Sequence, residues 1–150
     1  MIYRSRFRVS APIERVEKFH RRPANLAAVT PPFVPMRFLI PPPERLQAGD
    51  ELTMRMWVGP IPVTWWLRVA TLDEPEVVGF RDRQISGPFA YWEHRHRFRP
   101  AADGSATWIE DEIEARWGGG LMRRLIGWQM WAGLPVLFAY RRRRTRKLLE

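Results

Sequence analysis

Residues 92 to 98 read Trp-Glu-His-Arg-His-Arg-Phe, and the parity of that run is where chemistry could begin. Successive side chains of an extended chain point to opposite faces, so Trp92, His94, His96 and Phe98 share one side. Glu93, Arg95, Arg97 and Arg99 share the other. Two imidazoles at i and i+2 suit three kinds of work. They can join carboxylates in a hydrogen-bonded cluster that fixes strand register. They can orient the polar head of a bound molecule whose body lies on the neighbouring aromatics. They can ligate a metal, with Asp82 or Asp111 completing a facial set. The chain has no cysteine, and its third histidine, His20, reads as incidental on a short helix. No nucleophile motif or cofactor loop accompanies the pair, so no cofactor is expected, and the three readings stay open.

The elements that must hold these residues follow from periodicity. Residues 3 to 9 alternate, with Tyr3, Phe7 and Val9 opposite Arg4, Arg6 and Arg8, the pattern of a half-buried strand. Ser10 and Pro12 then introduce a helix with Ile13, Val16 and Phe19 at helical spacing. Pro23 opens a second short helix that ends at Thr30-Pro31-Pro32, because a residue before proline leaves helical geometry. From 33 to 117 the chain reads as strands: 33 to 40; 51 to 58, with Leu52, Met54, Met56 and Val58 on one face; 63 to 72; 77 to 85; the histidine strand; and 107 to 117. Turn signals such as Gly59-Pro60, Gly87-Pro88 and Asp103-Gly104 between alternating runs argue for an antiparallel meander rather than βαβ units. Gly118-Gly119-Gly120 releases a long final helix containing Pro135, where a bend is expected.

Composition narrows the class. A chain of 150 residues with 45% hydrophobic content fits one domain spanning 1 to 150. Eight Trp residues suit the wall of a cavity, since each wants apolar surroundings and a partner for its N–H. The net charge of +9 invites a nucleic-acid reading, but RRRRTRK at 141 to 147 holds six of the positive charges and has no interleaved aromatics for stacking bases. All but two of the basic residues are Arg. The first residues alternate at once, without the apolar segment of a secretory signal, so the cytoplasm is the expected compartment. The apolar stretch at 125 to 140 is shorter than the roughly 20 residues that span a bilayer and contains Gln129 and Pro135.

Several motifs together resemble a bacterial branch of the START/Bet v 1-like superfamily, the helix-grip or SRPBCC group related to polyketide cyclases/dehydrases and lipid-binding domains. They are Ile61-Pro62 with Trp65, Phe80-x-Asp82-x-Gln84, Gly87-Pro88-Phe89, Trp92-x-His94-x-His96-x-Phe98, Asp111, and Phe138-x-Tyr140-Arg141. The resemblance covers nearly the whole chain. It implies an α+β helix-grip fold: a curved antiparallel sheet of about seven strands, two short helices and one long C-terminal helix. This chain departs from the branch in having three glycines before the last helix. It also has Ala115 where the branch often has Tyr, which is expected to enlarge the pocket.

On that topology the concave wall is formed by Met54, Met56, Trp65, Leu67, Phe80, Asp82, Gln84, Trp92, His94, His96, Phe98 and Asp111, with Ile109 and Ile113. Asp82, Gln84, His94, His96 and Asp111 form a polar island, and each would cost about 1–3 kcal/mol if left unpartnered there. They must meet one another, water or a ligand. The expected function is the binding of a small hydrophobic molecule, such as a lipid, polyketide or isoprenoid, between sheet and helix. The alternative by analogy is a cyclase/dehydrase using His94 or His96 with Asp111. On the convex side Glu110, Glu112 and Glu114 lie between Arg4, Arg6, Arg8 and Arg95, Arg97, Arg99, an arrangement that neutralises those arginines by cross-strand pairing.

The final helix is apolar on two sides. Leu121, Leu125, Trp128, Ala132, Val136 and Ala139 line one; Met130, Leu134, Leu137 and Phe138 line the other. One side fits the sheet, and the other suits a lid, a second copy in a homodimer, or a lipid surface. Arg141, Arg142, Arg143, Arg144, Arg146 and Lys147 read as a solvated helix end, with weak contact to an acidic membrane as the alternative.

Overall fold

The computed structural model describes residues 1–150. Strand β1 (Ile2–Val9) is followed by helices α1 (Ile13–His20) and α2 (Ala24–Ala28). Strands β2 (Met36–Phe38), β3 (Glu51–Val58), β4 (Ile61–Ala70), β5 (Val78–Ser86), β6 (Phe89–Pro100) and β7 (Thr107–Trp117) come next, and α3 (Leu121–Leu149) ends the chain. The strands form one antiparallel sheet in the order β1-β7-β6-β5-β4-β3-β2. This is the expected α+β helix-grip arrangement: β1 joins the far edge of a six-strand meander, and the long helix lies across the curved sheet.

Local differences from the sequence reading have simple causes. The strand expected over 33 to 40 shrinks to three residues, since prolines at 31, 32 and 35 remove donors from its start. Strand β4 begins at Ile61, because the β3–β4 turn needs only Gly59-Pro60 and Pro62 still pairs opposite Trp57. Pro135 lies inside α3 without ending it. One glycine is required by close approach. Gly79 in β5 has φ of 152°, and a Cβ there would stand 2.0 Å from the His96 carbonyl oxygen. Any side chain at Gly79 would push β5 away from β6 beside the histidines.

Parity sorts the two faces as the alternation implies. Trp92, His94 and Phe98 are buried in the concave core with Phe7, Val9, Ile109 and Ile113. On the convex side Glu112 meets Arg4 at 2.7 Å and Arg95 at 3.2 Å, and Glu110 meets Arg6 and Arg99, each at 3.1 Å. The acidic row of β7 therefore bridges two basic strands. Glu93 is the exception to an exposed outer face, at 0% exposure. Arg83 donates to its Oε2 at 2.9 and 2.5 Å, Arg81 lies 3.6 Å away, and Arg95 pairs with Oε1.

The two sides of α3 part company. Leu134, Phe138, Thr145 and Leu149 are buried against the sheet. Leu121, Leu125, Trp128 and Val136 are 75%, 54%, 64% and 58% exposed, so the second apolar side has no cover within the chain. The helix end is also not frayed. Leu149 is buried, and the Ser10 N–H donates to Glu150 Oε1 at 3.0 Å. Nor is the basic run uniform: Arg144 donates to the Ala28 carbonyl, Arg146 to the Arg8 carbonyl, and Arg141 turns inward. No helix is long and apolar enough to cross a membrane.

Glu93→Ala would leave three arginines crowded over a covered site without their shared counter-ion. A loss of about 2 kcal/mol in unfolding free energy, measured by denaturant titration, is expected, held to that size because the arginines still reach solvent.

Candidate functional site

A cavity of about 430 Å³ lies between the concave sheet and α3. Met54, Met56, Trp65, Leu67, Phe80 and Trp92 contribute from β3 to β6, Leu26 and Val29 from α2 and the residue after it, and Leu134 and Phe138 from α3. The Trp65 and Trp92 rings meet edge to face at 4.9 Å, and Phe89 lies tilted against Trp92 at 5.0 Å, so this corner is walled by aromatics that support one another.

At one end the wall turns polar. Strand register sets Asp82 opposite His94 and Asp111 opposite His96. The hydrogen bonds run on the diagonals. His94 Nε2 lies 2.9 Å from Asp111 Oδ1, and His96 Nε2 lies 2.9 Å from Asp82 Oδ2. The remaining approaches are longer, 3.4 Å from His96 Nδ1 to Asp111 and 3.9 Å from His94 Nδ1 to Asp82. The two imidazoles sit 3.7 Å apart between centroids, and Phe80 stacks on His96 at 4.4 Å. Two carboxylates and two imidazoles from three strands thus form a crossed box.

The electrostatics separate the two histidines. Burial opposes charge on both. For His96 the hydrogen bonds to Asp111 and Asp82 outweigh that cost and push its pKa up to about 9. For His94 burial and the neighbouring charge on His96 win, and its pKa falls below the usual imidazole range. Burial works against ionising Asp82 and Asp111 as well, but their imidazole partners hold both below the usual carboxylate range. These directions favour two carboxylates, an imidazolium at His96 and a neutral imidazole at His94. Asp111 can only accept, so neutral His94 carries its proton on Nε2 and leaves Nδ1 as an unprotonated nitrogen.

Of the fourteen residues expected on this wall, eleven line the cavity: Met54, Met56, Trp65, Leu67, Phe80, Asp82, Trp92, His94, His96, Asp111 and Ile113. Gln84, Phe98 and Ile109 do not. Gln84 Nε2 donates to the Phe89 carbonyl at 2.7 Å, and its Oε1 is roofed by Gly87, where a Cβ would stand 2.5 Å away. It braces the β5–β6 turn. Phe98 is covered by α1, with the His20 ring 4.9 Å from its own. Ala115 is buried opposite Trp92 in the strand register and is not itself among the lining residues.

Among the lining residues that the sequence reading did not place at the cavity, two carry ionisable groups turned away from the surface. His20 is not incidental: it faces the cavity, its Nδ1 donates to the Val16 carbonyl at 2.8 Å, and burial pushes its pKa down to about 4. Its position four residues after Val16 on the buried side of α1 was the available signal. Arg141, read with the basic tail, also lines the cavity, and its charge is felt by Asp111 and Asp82. Arg141 follows Leu134, Leu137 and Phe138 by seven, four and three residues, which puts it on the inner side of α3.

Asp82, His94 and His96 each offer one ligand atom, all within 4.8 Å of one another, a spacing a metal ion could use. In this arrangement the Nε2 atoms and Asp82 Oδ2 are committed to hydrogen bonds within the box, and Arg141 adds a cation beside it. Those bonds would have to break for an ion to enter. The donor set fits the closed box better than a metal site.

Neither a family model nor a curated protein matches the chain. Solved structures do. A protein from Thermus thermophilus is 18% identical, each chain covering 100% of the other, with a TM-score of 0.69. An aromatase/cyclase from a Streptomyces species is 15% identical over 99% of this chain and 93% of its own, with a TM-score of 0.71. Norcoclaurine synthase from Thalictrum flavum, in complex with dopamine and hydroxybenzaldehyde, is 15% identical over 99% and 85%, with a TM-score of 0.67. At these identities the likeness establishes the fold.

The box makes stability depend on pH. His96 has a folded pKa above its unfolded value of 6.5, so its contribution is complete below that value and is lost as pH rises through about 9. His94 and His20 have lowered values, so the fold is penalised as pH falls below 6.5, where the unfolded chain takes up their protons. A melting-temperature profile should fall between pH 6.5 and 9, and His96→Gln should flatten that alkaline decline.

Proposed function

We propose that this START/Bet v 1-like helix-grip chain binds one small, largely hydrophobic molecule in the cavity between its sheet and α3. The single observation that supports this best is the cavity itself: about 430 Å³ of space with 23 apolar residues among the 37 that line it. Protein interiors are close-packed, and a hollow of this size with a few convergent polar groups is the usual form of a ligand site. Burial of an apolar body against Trp65, Trp92, Met54 and Leu67 supplies roughly 25 cal/mol per Å² removed from water. The aromatase/cyclase and norcoclaurine synthase likenesses support the same class of occupant, compact molecules with aromatic or polyketide character.

Native mass spectrometry on protein taken directly from cells should find one small molecule per chain. Leu137→Trp, which pushes a larger ring into the cavity, should remove that mass and leave thermal unfolding cooperative. A bare wild-type chain that also fails to bind any apolar compound would contradict the reading.

A second reading, an enzyme of the cyclase/dehydrase type, is favoured by one detail. His94 is neutral and its Nδ1 has no hydrogen bond, while imidazolium His96 sits 3.7 Å away between ring centroids, so a base and an acid share the wall. Under this reading His94→Gln abolishes turnover of a bound polyketone and leaves its dissociation constant within about threefold. Binding without turnover in the wild-type protein leaves the carrier reading alone.

A further inference from the structure

Among the ionised groups around the cavity, Arg141 stands apart. The carboxylates of Asp82 and Asp111 each meet an imidazole N–H, and His96 lies between both. Arg141 makes no hydrogen bond to any protein group and no ion pair, although it lines the same cavity. Its Nε is sealed from solvent without a partner, and part of the side chain remains open to the hollow. The guanidinium carbon lies 5.3 Å from the centre of the Phe138 ring, which steadies the group from one side and offers nothing to its N–H edge. A guanidinium drawn inward with no acceptor for its sealed N–H carries a cost that stability alone does not explain.

A second lining group is in the same condition. Trp65 Nε1 is buried with no acceptor. The two fully buried polar atoms of the wall that lack partners are therefore both donors. Both atoms are shut off from the hollow as well as from solvent, and the Trp65 ring edge beside Nε1 packs toward Gly87. What an occupant can meet is the open end of the Arg141 fork, which only donates, so the occupant must bring acceptor oxygens.

Resting on the ligand-binding reading above, we propose that Arg141 is the anchoring residue of the cavity and that it selects hydrophobic molecules carrying a carbonyl or carboxylate oxygen. The fork of a guanidinium is suited to such an oxygen, and an N–H bond from a charged donor to it is stronger than one between neutral groups. An amine-headed molecule gains no such contact and brings a cation toward Arg141 and His96.

The test is a matched series on one ring body, measured by calorimetry with the full chain: methylnaphthalene, acetylnaphthalene, naphthoate and naphthylmethylamine. The ketone or the acid should bind about ten- to hundredfold tighter than the hydrocarbon, and the amine no tighter than it. Arg141→Met should erase that preference and leave the affinity for methylnaphthalene unchanged. Arg141→Gln, which keeps a donor and removes the charge and the fork, should reduce the preference severalfold and serves if Arg141→Met does not fold. A preference for either oxygen head supports the assignment, and the order of ketone and acid tells whether a neutral or a charged oxygen meets Arg141. Equal binding of all four compounds, or a preference that survives Arg141→Met, overturns the assignment while leaving hydrophobic binding intact. Failure of every compound, methylnaphthalene included, overturns the ligand-binding reading and this assignment with it.

Discussion

Two carboxylates and two imidazoles cannot be taken out of water on an apolar wall unless they answer one another, and that constraint organises the concave face. The crossed box answers it. Asp111 of β7 reaches His94 and Asp82 of β5 reaches His96, each on the diagonal of its register pair. A slip of one residue along any of these strands would turn a member of the box to the convex side and leave its partner buried alone. The same slip would break the outer pairing of Glu110 and Glu112 with arginines of β1 and β6, so the two faces enforce one alignment. Gly79, with the His96 carbonyl against it, lets β5 come close enough for the box to close.

The hollow above the box follows from the way the helix meets the sheet. Phe138 and Leu134 press onto the concave wall, and β1 packs against α3 through Tyr3, whose ring lies 5.2 Å from that of Phe138. Between α3 and strands β3 to β5 the wall is lined instead by Met54, Met56, Trp65 and Leu67, which leave the space open. With the histidines and aspartates occupied by one another, the proposed recognition of a polar head falls to the groups left over, of which Arg141 is the one cation without a hydrogen bond or ion pair.

Much of the architecture was legible because it rests on periods of two and on turn residues. The alternation in 92 to 98 placed Trp92, His94 and Phe98 inside, and the Glu110 to Glu114 row gave its neighbours away by charge. Strand ends were less legible. Pro62 enters β4 at a place where proline normally signals a break, because its pairing with Trp57 near the hairpin tolerates the missing donor. Within the site, parity could name a face but not a depth. Gln84 has the right parity and spends both ends on a turn; Phe98 has it too and lies beneath α1. Arg141 and His20 were misjudged for a different reason. Each was read by its chemistry, a member of a basic run and a lone helical histidine, when helical spacing from Phe138 and from Val16 put both on buried sides. Residue type concealed what position would have revealed.

The concave face depends on the box being closed on itself with one shared positive charge. Nitrogen NMR of the histidine side chains tests this directly at neutral pH. His96 should show both ring nitrogens protonated, and His94 a neutral ring with its proton on Nε2. Two neutral rings titrating together near the free-imidazole value of 6.5 would contradict it, because the carboxylates would then be holding neither.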